Sequence, residues 1–226
     1  MKGTLGMEGG EVNDLISVVI PTHNRAETIL DAVESVLRQT YSNLEVIIVD
    51  DASVDNSREI IEGIDDSRVR YFRNECQKGA NISRNVGVKH AQGELIAFLD
   101  SADQWFLDKL EKQIQYMEQT EADIIFSAEK VVSENTSYVI PYATQKAMIM
   151  QDKLKELLSV ENCVDTSTLL VKKICFDRVG LFDLELPRLQ EYEWMLRSIQ
   201  QFKVSYLDEV LVSAWIRKDS ISADLT

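Results

Sequence analysis

Short apolar runs alternate with amphipathic stretches through the first half of the chain. Ile16-Ser17-Val18-Val19-Ile20 is apolar and β-branched and is closed by Pro21, which predicts a buried strand. Asn24 stands three residues before Glu27, the spacing of a capping box with Asn in place of Ser. Ile29, Leu30, Val33, Val36 and Leu37 follow at helical spacing and make one buried face. Leu44 to Val49 predicts a second buried strand that stops at Asp50-Asp51. Ser57 to Ile64 reads as a short helix, Val69 to Phe72 as a strand, Asn81 to Ala91 as a helix, and Leu95 to Leu99 as a strand ending at Asp100. A helix from Phe106 to Thr120 carries Leu107, Leu110, Ile114 and Met117 on one side.

This order predicts an α/β fold: a Rossmann-like, mostly parallel sheet with helices on both faces. The second half is less regular. Strands are expected at Asp123 to Ala128, Ser167 to Lys172 and Val210 to Ile216, and helices at Asp152 to Val160 and Glu191 to Gln200. The alternation breaks down there, so mixed pairing and a smaller second lobe are expected. Residues 15–226 read as one domain, with 15–104 and 105–226 as its two halves. Met1 to Asp14 is Gly- and acid-rich and reads as a frayed extension or expression scar, neither signal peptide nor anchor.

Composition narrows the function. With 38 acidic and 24 basic residues, the formal charge of −14 argues against nucleic acid or anionic lipid as a general partner. Cys76, Cys163 and Cys175 are widely spaced without a C-x-x-C pair, which suits a reducing compartment rather than a disulfide framework or zinc site. Apolar runs are far shorter than the ~20 residues that span a bilayer. The chain is expected to be cytoplasmic, with peripheral association at the inner membrane face left open.

Open parallel sheets bind ligands beyond the carboxyl ends of their strands. Asp50, Asp51 and Asp100 sit at such ends, with Asp103 just after. A single acid there commonly caps the next helix, and Asp55 and Asp103 could both do so. Several acids converging on one crevice could instead hold a hard divalent cation or accept hydrogen bonds from a base or sugar. The chain has no Rossmann glycine motif, Walker loop or G-x-S-x-G elbow, and its two histidines, His23 and His90, make a hydrolase triad improbable.

Six linked segments together resemble glycosyltransferase family 2: SVVIPTHNR at Ser17 to Arg25, SVLRQTY at Ser35 to Tyr41, EVIIVDDASVD at Glu45 to Asp55, GANISRNVG at Gly79 to Gly87, FLDSADQW at Phe98 to Trp105, and RLQEYEWMLR at Arg188 to Arg197. The resemblance runs from Ile16 to about Ser222. It implies the GT-A fold, a nucleotide-diphospho-sugar donor, commonly a UDP-sugar, and a glycan, lipid-linked or protein acceptor. It implies that Pro21, Thr22 and Asn24 border the nucleotide, that Asp51 accepts a hydrogen bond from the base, and that Arg84 flanks the nucleotide. Asp100 would meet the ribose, Asp103 would hold Mn²⁺ or Mg²⁺, Glu191 would be the general base of an inverting transfer, and Arg217 would approach the diphosphate.

One departure bears on the metal. The family usually reads Asp-Ser-Asp-Asp where this chain has Asp100-Ser101-Ala102-Asp103, so one carboxylate is absent. Asp103 with Asp100 in support could suffice. The alternative is an impaired nucleotide-sugar-binding or scaffold protein of the same fold. A smaller departure is Gln190-Glu191 where Glu-Asp or similar is common, which gives the base a longer arm.

Overall fold

The computed structural model describes residues 14–149, 152–186 and 188–216. In chain order the elements are β1 (Ile16–Thr22), α1 (Ile29–Leu37), β2 (Leu44–Asp50), α2 (Ser57–Glu62), β3 (Val69–Arg73), α3 (Ala80–His90), β4 (Leu95–Phe98), β5 (Gln104–Trp105) and α4 (Lys109–Thr120). After these come β6 (Ile124–Val132), β7 (Ser137–Ile140), α5 (Ala143–Ile149), α6 (Leu154–Leu158), a 3₁₀ turn (Thr166–Thr168), β8 (Leu170–Lys172), α7 (Lys173–Val179), α8 (Gln190–Ser198) and β9 (Val204–Trp215).

The strands form one sheet in the order β3-β2-β1-β4-β8-β6-β9-β5, with β7 added beside β6. The first four strands are parallel. β8 runs antiparallel between β4 and β6, and β6 pairs parallel with β9. The mixed half therefore continues the same sheet. Every residue of β1 and β2 is buried, which is why these runs are apolar without alternation. Val18, Ile20, Val46 and Ile48 pack under α1 and α4 on one face. Val19, Ile47 and Val49 pack under α3, α6, α7 and α8 on the other.

α3 lies unusually close to the sheet. A Cβ on Gly87 would stand 2.2 Å from Val19 Cγ1, so only glycine permits this approach. Arg84, one helical turn earlier, reaches Asp100 just past the end of β4.

Several local expectations are corrected. Asn24 is not a helix cap: it has φ 51°, and α1 begins five residues later behind Thr28. α4 begins at Lys109, because Phe106 N–H donates to Leu211 and its carbonyl accepts from Gln39 Nε2, which holds the chain extended beside β9. Leu107 is exposed accordingly. Ser167 belongs to the 3₁₀ turn, and β8 starts at Leu170. Cys163 and Cys175 are core residues as expected, but Cys76 is exposed. The expected N-terminal extension lies outside the described residues except for Asp14.

Candidate active site

The first wall of the site is the carboxyl end of β1 and β2. Pro21 and Thr22 are buried there, with Thr22 Oγ1 lacking a hydrogen-bond partner among the described residues. The Asp51 carboxylate is enclosed by backbone and amide donors. Asn74 Nδ2 and Lys78 N–H reach Oδ1 at 2.8 and 2.9 Å, and Lys78 and Gly79 N–H reach Oδ2 at 3.0 and 2.6 Å. Gly79, with φ 96°, takes the left-handed turn that aims these amides at Asp51 and starts α3. Asn24 serves as a latch between loops: its N–H donates to Ser53 Oγ, its Oδ1 accepts from Val54 N–H, and its Nδ2 meets His23 Nε2. His23 Nδ1 bonds the Asp51 carbonyl at 2.7 Å. Asp50 is structural and fully buried, accepting from Ser53, Tyr71 and Arg73. Burial works to raise its carboxyl, but these partners hold it below its ordinary value. Asp55 accepts from Ala26 and Ser57 N–H.

The second wall joins the end of β4 to the turn before β8. Arg84 is 4 % exposed and its Nη2 donates to Asp100 Oδ1 at 2.5 Å. Its Nε and Nη1 are buried with no hydrogen-bond partner among the described residues. Ser167 is the hub of this wall. Its Oγ donates to Asp103 Oδ2 at 2.8 Å and accepts from Asp100 N–H at 3.1 Å, and its N–H donates to Asp165 Oδ1 at 2.8 Å. Trp215 N–H reaches the other Asp103 oxygen at 3.2 Å. Asp103 thus ties the 3₁₀ turn and β9 together and does not cap α4.

Glu191 enters from the first turn of α8. That helix is anchored by Trp194, which stacks on Phe176 at 4.5 Å and donates to the Gly180 carbonyl. Asn162 Nδ2 donates to Glu191 Oε1 at 3.2 Å. Glu193 is turned away and pairs with Arg197. Electrostatics link Glu191 to the second wall: burial disfavours the Arg84 cation, but Asp100, Glu191 and Asp165 outweigh that penalty.

Sequence reasoning missed Glu129, Asn162, Asp165 and Ser167. Glu129 is 3 % exposed, on β6 beside the register shift at Ala128/Glu129, and its Oε2 has no partner among the described residues. A charged residue inside the apolar β6 run was the one readable signal for Glu129. Asn162 and Asp165 lie in the segment between α6 and β8, where no periodicity marks them, and Ser167 reads only as the start of a strand.

Burial, with the charges of Asp165 and Asp103, pushes Glu129 well above the ordinary carboxylate range. Burial, with Asp100 and Asp165, does the same to Asp103. Asp165 is pushed up to about 7 by burial and by Asp100 and Glu191. Burial also raises Glu191, while Arg84 and the Asn162 bond oppose the rise. Arg217 lies outside the described residues.

Asp100 and Asp103 set carboxylate oxygens, the donors a hard cation takes, on one turn, where the Asp103 oxygens also accept from Ser167 Oγ and Trp215 N–H. Among the described residues no three ligating side chains converge into a ready-made cage.

The model for glycosyl transferase family 2 matches residues 17–175. This chain belongs to glycosyltransferase family 2. The family match takes in Asp51, Arg84, Asp100, Asp103, Glu129 and Asp165 and stops before Glu191. Escherichia coli WfaP, a UDP-Glc:alpha-D-GlcNAc-diphosphoundecaprenol beta-1,3-glucosyltransferase, is 32% identical over 185 residues, covering 81% of this chain and 68% of WfaP. WfgD of the same organism, named for the same activity, is 39% identical over 122 residues, 54% of this chain and 48% of WfgD. The match thus spans about half the length of WfgD. S. aureus TarS in complex with UDP-GlcNAc superposes with a TM-score of 0.78 at 21% identity, covering 92% of this chain and 60% of that one. This likeness shows the fold, the GT-A architecture that the sequence resemblance implied.

Proposed function

We propose that this chain transfers a sugar from a UDP-sugar to a hydroxyl of a lipid-linked acceptor bearing GlcNAc-diphosphate, with inversion at the anomeric carbon. The observation that carries the reading is Arg84: a buried guanidinium with two unpartnered nitrogens, set among Asp100, Asp165 and Glu191. Such a group suits an anionic diphosphate, and its fork geometry matches phosphate oxygens. The names of WfaP and WfgD, and the UDP-GlcNAc held by TarS, support the donor and acceptor classes.

In this reading each residue has a role. Pro21, Thr22 and Asp51 line the nucleobase end, where a base would replace one of the donors now on Asp51. Arg84 neutralises charge as the nucleoside diphosphate departs. Glu191 takes the proton of the acceptor hydroxyl while that oxygen bonds the anomeric carbon and the bond to the diphosphate breaks. Asp100 and Asp103 would hold Mn²⁺ or Mg²⁺, which supplies further positive charge to the diphosphate when bound. A lipid-linked acceptor sets this work at a membrane surface. No helix among the described residues is long and apolar enough to cross one.

Ala102 favours a second reading, a nucleotide-sugar-binding protein without turnover. Incubation with a panel of UDP-sugars and a synthetic GlcNAc-diphospho-alkyl acceptor, with and without Mn²⁺, separates the two. Transfer with a β linkage from an α donor supports the first reading. UDP binding without any product supports the second.

A further inference from the structure

β6 and β7 form a hairpin whose register sets Glu129 opposite Ile140 and Val131 opposite Tyr138. Alternation along the strands puts these four side chains on one face. Burial falls along that face, from Glu129 at 3 % and Val131 at 6 % to Tyr138 at 37 %. Tyr138 stacks on Tyr142, with ring centroids 5.8 Å apart and planes at 25°. Tyr142 is 48 % exposed. At its inner end β6 packs against the 3₁₀ turn, whose Ser167 holds the Asp103 and Asp165 carboxylates.

We propose that this strip is the subsite for the acceptor's sugar ring, with Tyr138 and Tyr142 as a platform and the unpartnered Glu129 Oε2 accepting from a ring hydroxyl. The inference rests on the glycosyl-transfer reading and names a part of its acceptor site. A pyranose presents C–H groups on one face and hydroxyls around its rim, which matches an aromatic face beside a buried acceptor. An acyl chain would leave Glu129 unsatisfied, and Glu129, Val131, Tyr138, Ile140 and Tyr142 bring no cation to a phosphate. Continuity with the 3₁₀ turn sets the bound ring beside Asp103 and Asp165.

The test uses a GlcNAc-diphospho-alkyl probe, with acceptor binding read by saturation-transfer NMR, UDP binding by calorimetry, and KM and kcat where turnover is seen. Tyr138→Ala with Tyr142→Ala weakens acceptor binding about fivefold or more and leaves UDP affinity within about twofold. Tyr138→Phe with Tyr142→Phe restores acceptor binding. Unchanged acceptor affinity in the alanine pair overturns the platform, as does a wild type that binds UDP but gives no acceptor-ring signal. A wild type that binds neither ligand overturns the transfer reading together with the platform.

Discussion

Replacing Glu191 by Gln isolates one charge. The side chain keeps its length, and its amide oxygen can still accept from Asn162 Nδ2, now 3.2 Å from Glu191 Oε1. α8 stays anchored by Trp194 and Met195, both fully buried. Removing a carboxylate that burial and Asp100 already disfavour leaves stability unchanged or raises it by up to ~1 kcal/mol. The proton acceptor is lost, so kcat falls by ~10²–10⁴, equivalent to ~2.7–5.5 kcal/mol of barrier. Donor affinity changes little. The wild-type rate rises with pH through a value above the ordinary glutamate range, since the base must be ionised, and that limb disappears in the variant. Transfer kinetics at saturating acceptor, with UDP affinity by calorimetry, read both effects. A variant within about threefold of wild-type kcat removes Glu191 from the role.

Three further outcomes are expected. Asp165 sits near 7 in the fold against 3.8 unfolded, so the native state holds the extra proton between these values. Its contribution therefore weakens as pH rises through that window, and Tm falls between about pH 5 and 7; a flat or rising Tm refutes this, and Asp165→Asn makes the fall shallower while the raised Asp103, Glu129 and Glu191 keep part of it. Gly87→Ala drives a methyl to 2.2 Å from Val19 Cγ1 and costs ~1–3 kcal/mol in urea unfolding, with partial rescue by Val19→Ala. Ala102→Asp tightens Mn²⁺-dependent UDP binding, and calorimetry showing no change would count against Asp100–Asp103 as the cation turn.

Much of the parallel half was readable because its signals are local. β1 and β2 are buried on both faces, so their apolar runs identify them without reference to neighbours. The acids at their ends follow from the same reading. Local signals failed where a distant partner intervened. Asn24 has a capping spacing, yet Ser53 and Val54 from the next loop draw it into a left-handed turn. Phe106 fits a helical pattern, yet Gln39 and Leu211 hold it outside α4.

Periodicity and motif order thus established the elements, the family resemblance and the acids at the strand ends, since each depends on residues near one another in the chain. The assembled cleft did not follow from them. β8 enters antiparallel between β4 and β6, and this carries Asp165 and Ser167 to Asp100 and Asp103 across more than sixty positions of chain. Strand order of that kind is set by which buried faces fit together, a property of the packed sheet that no local window contains.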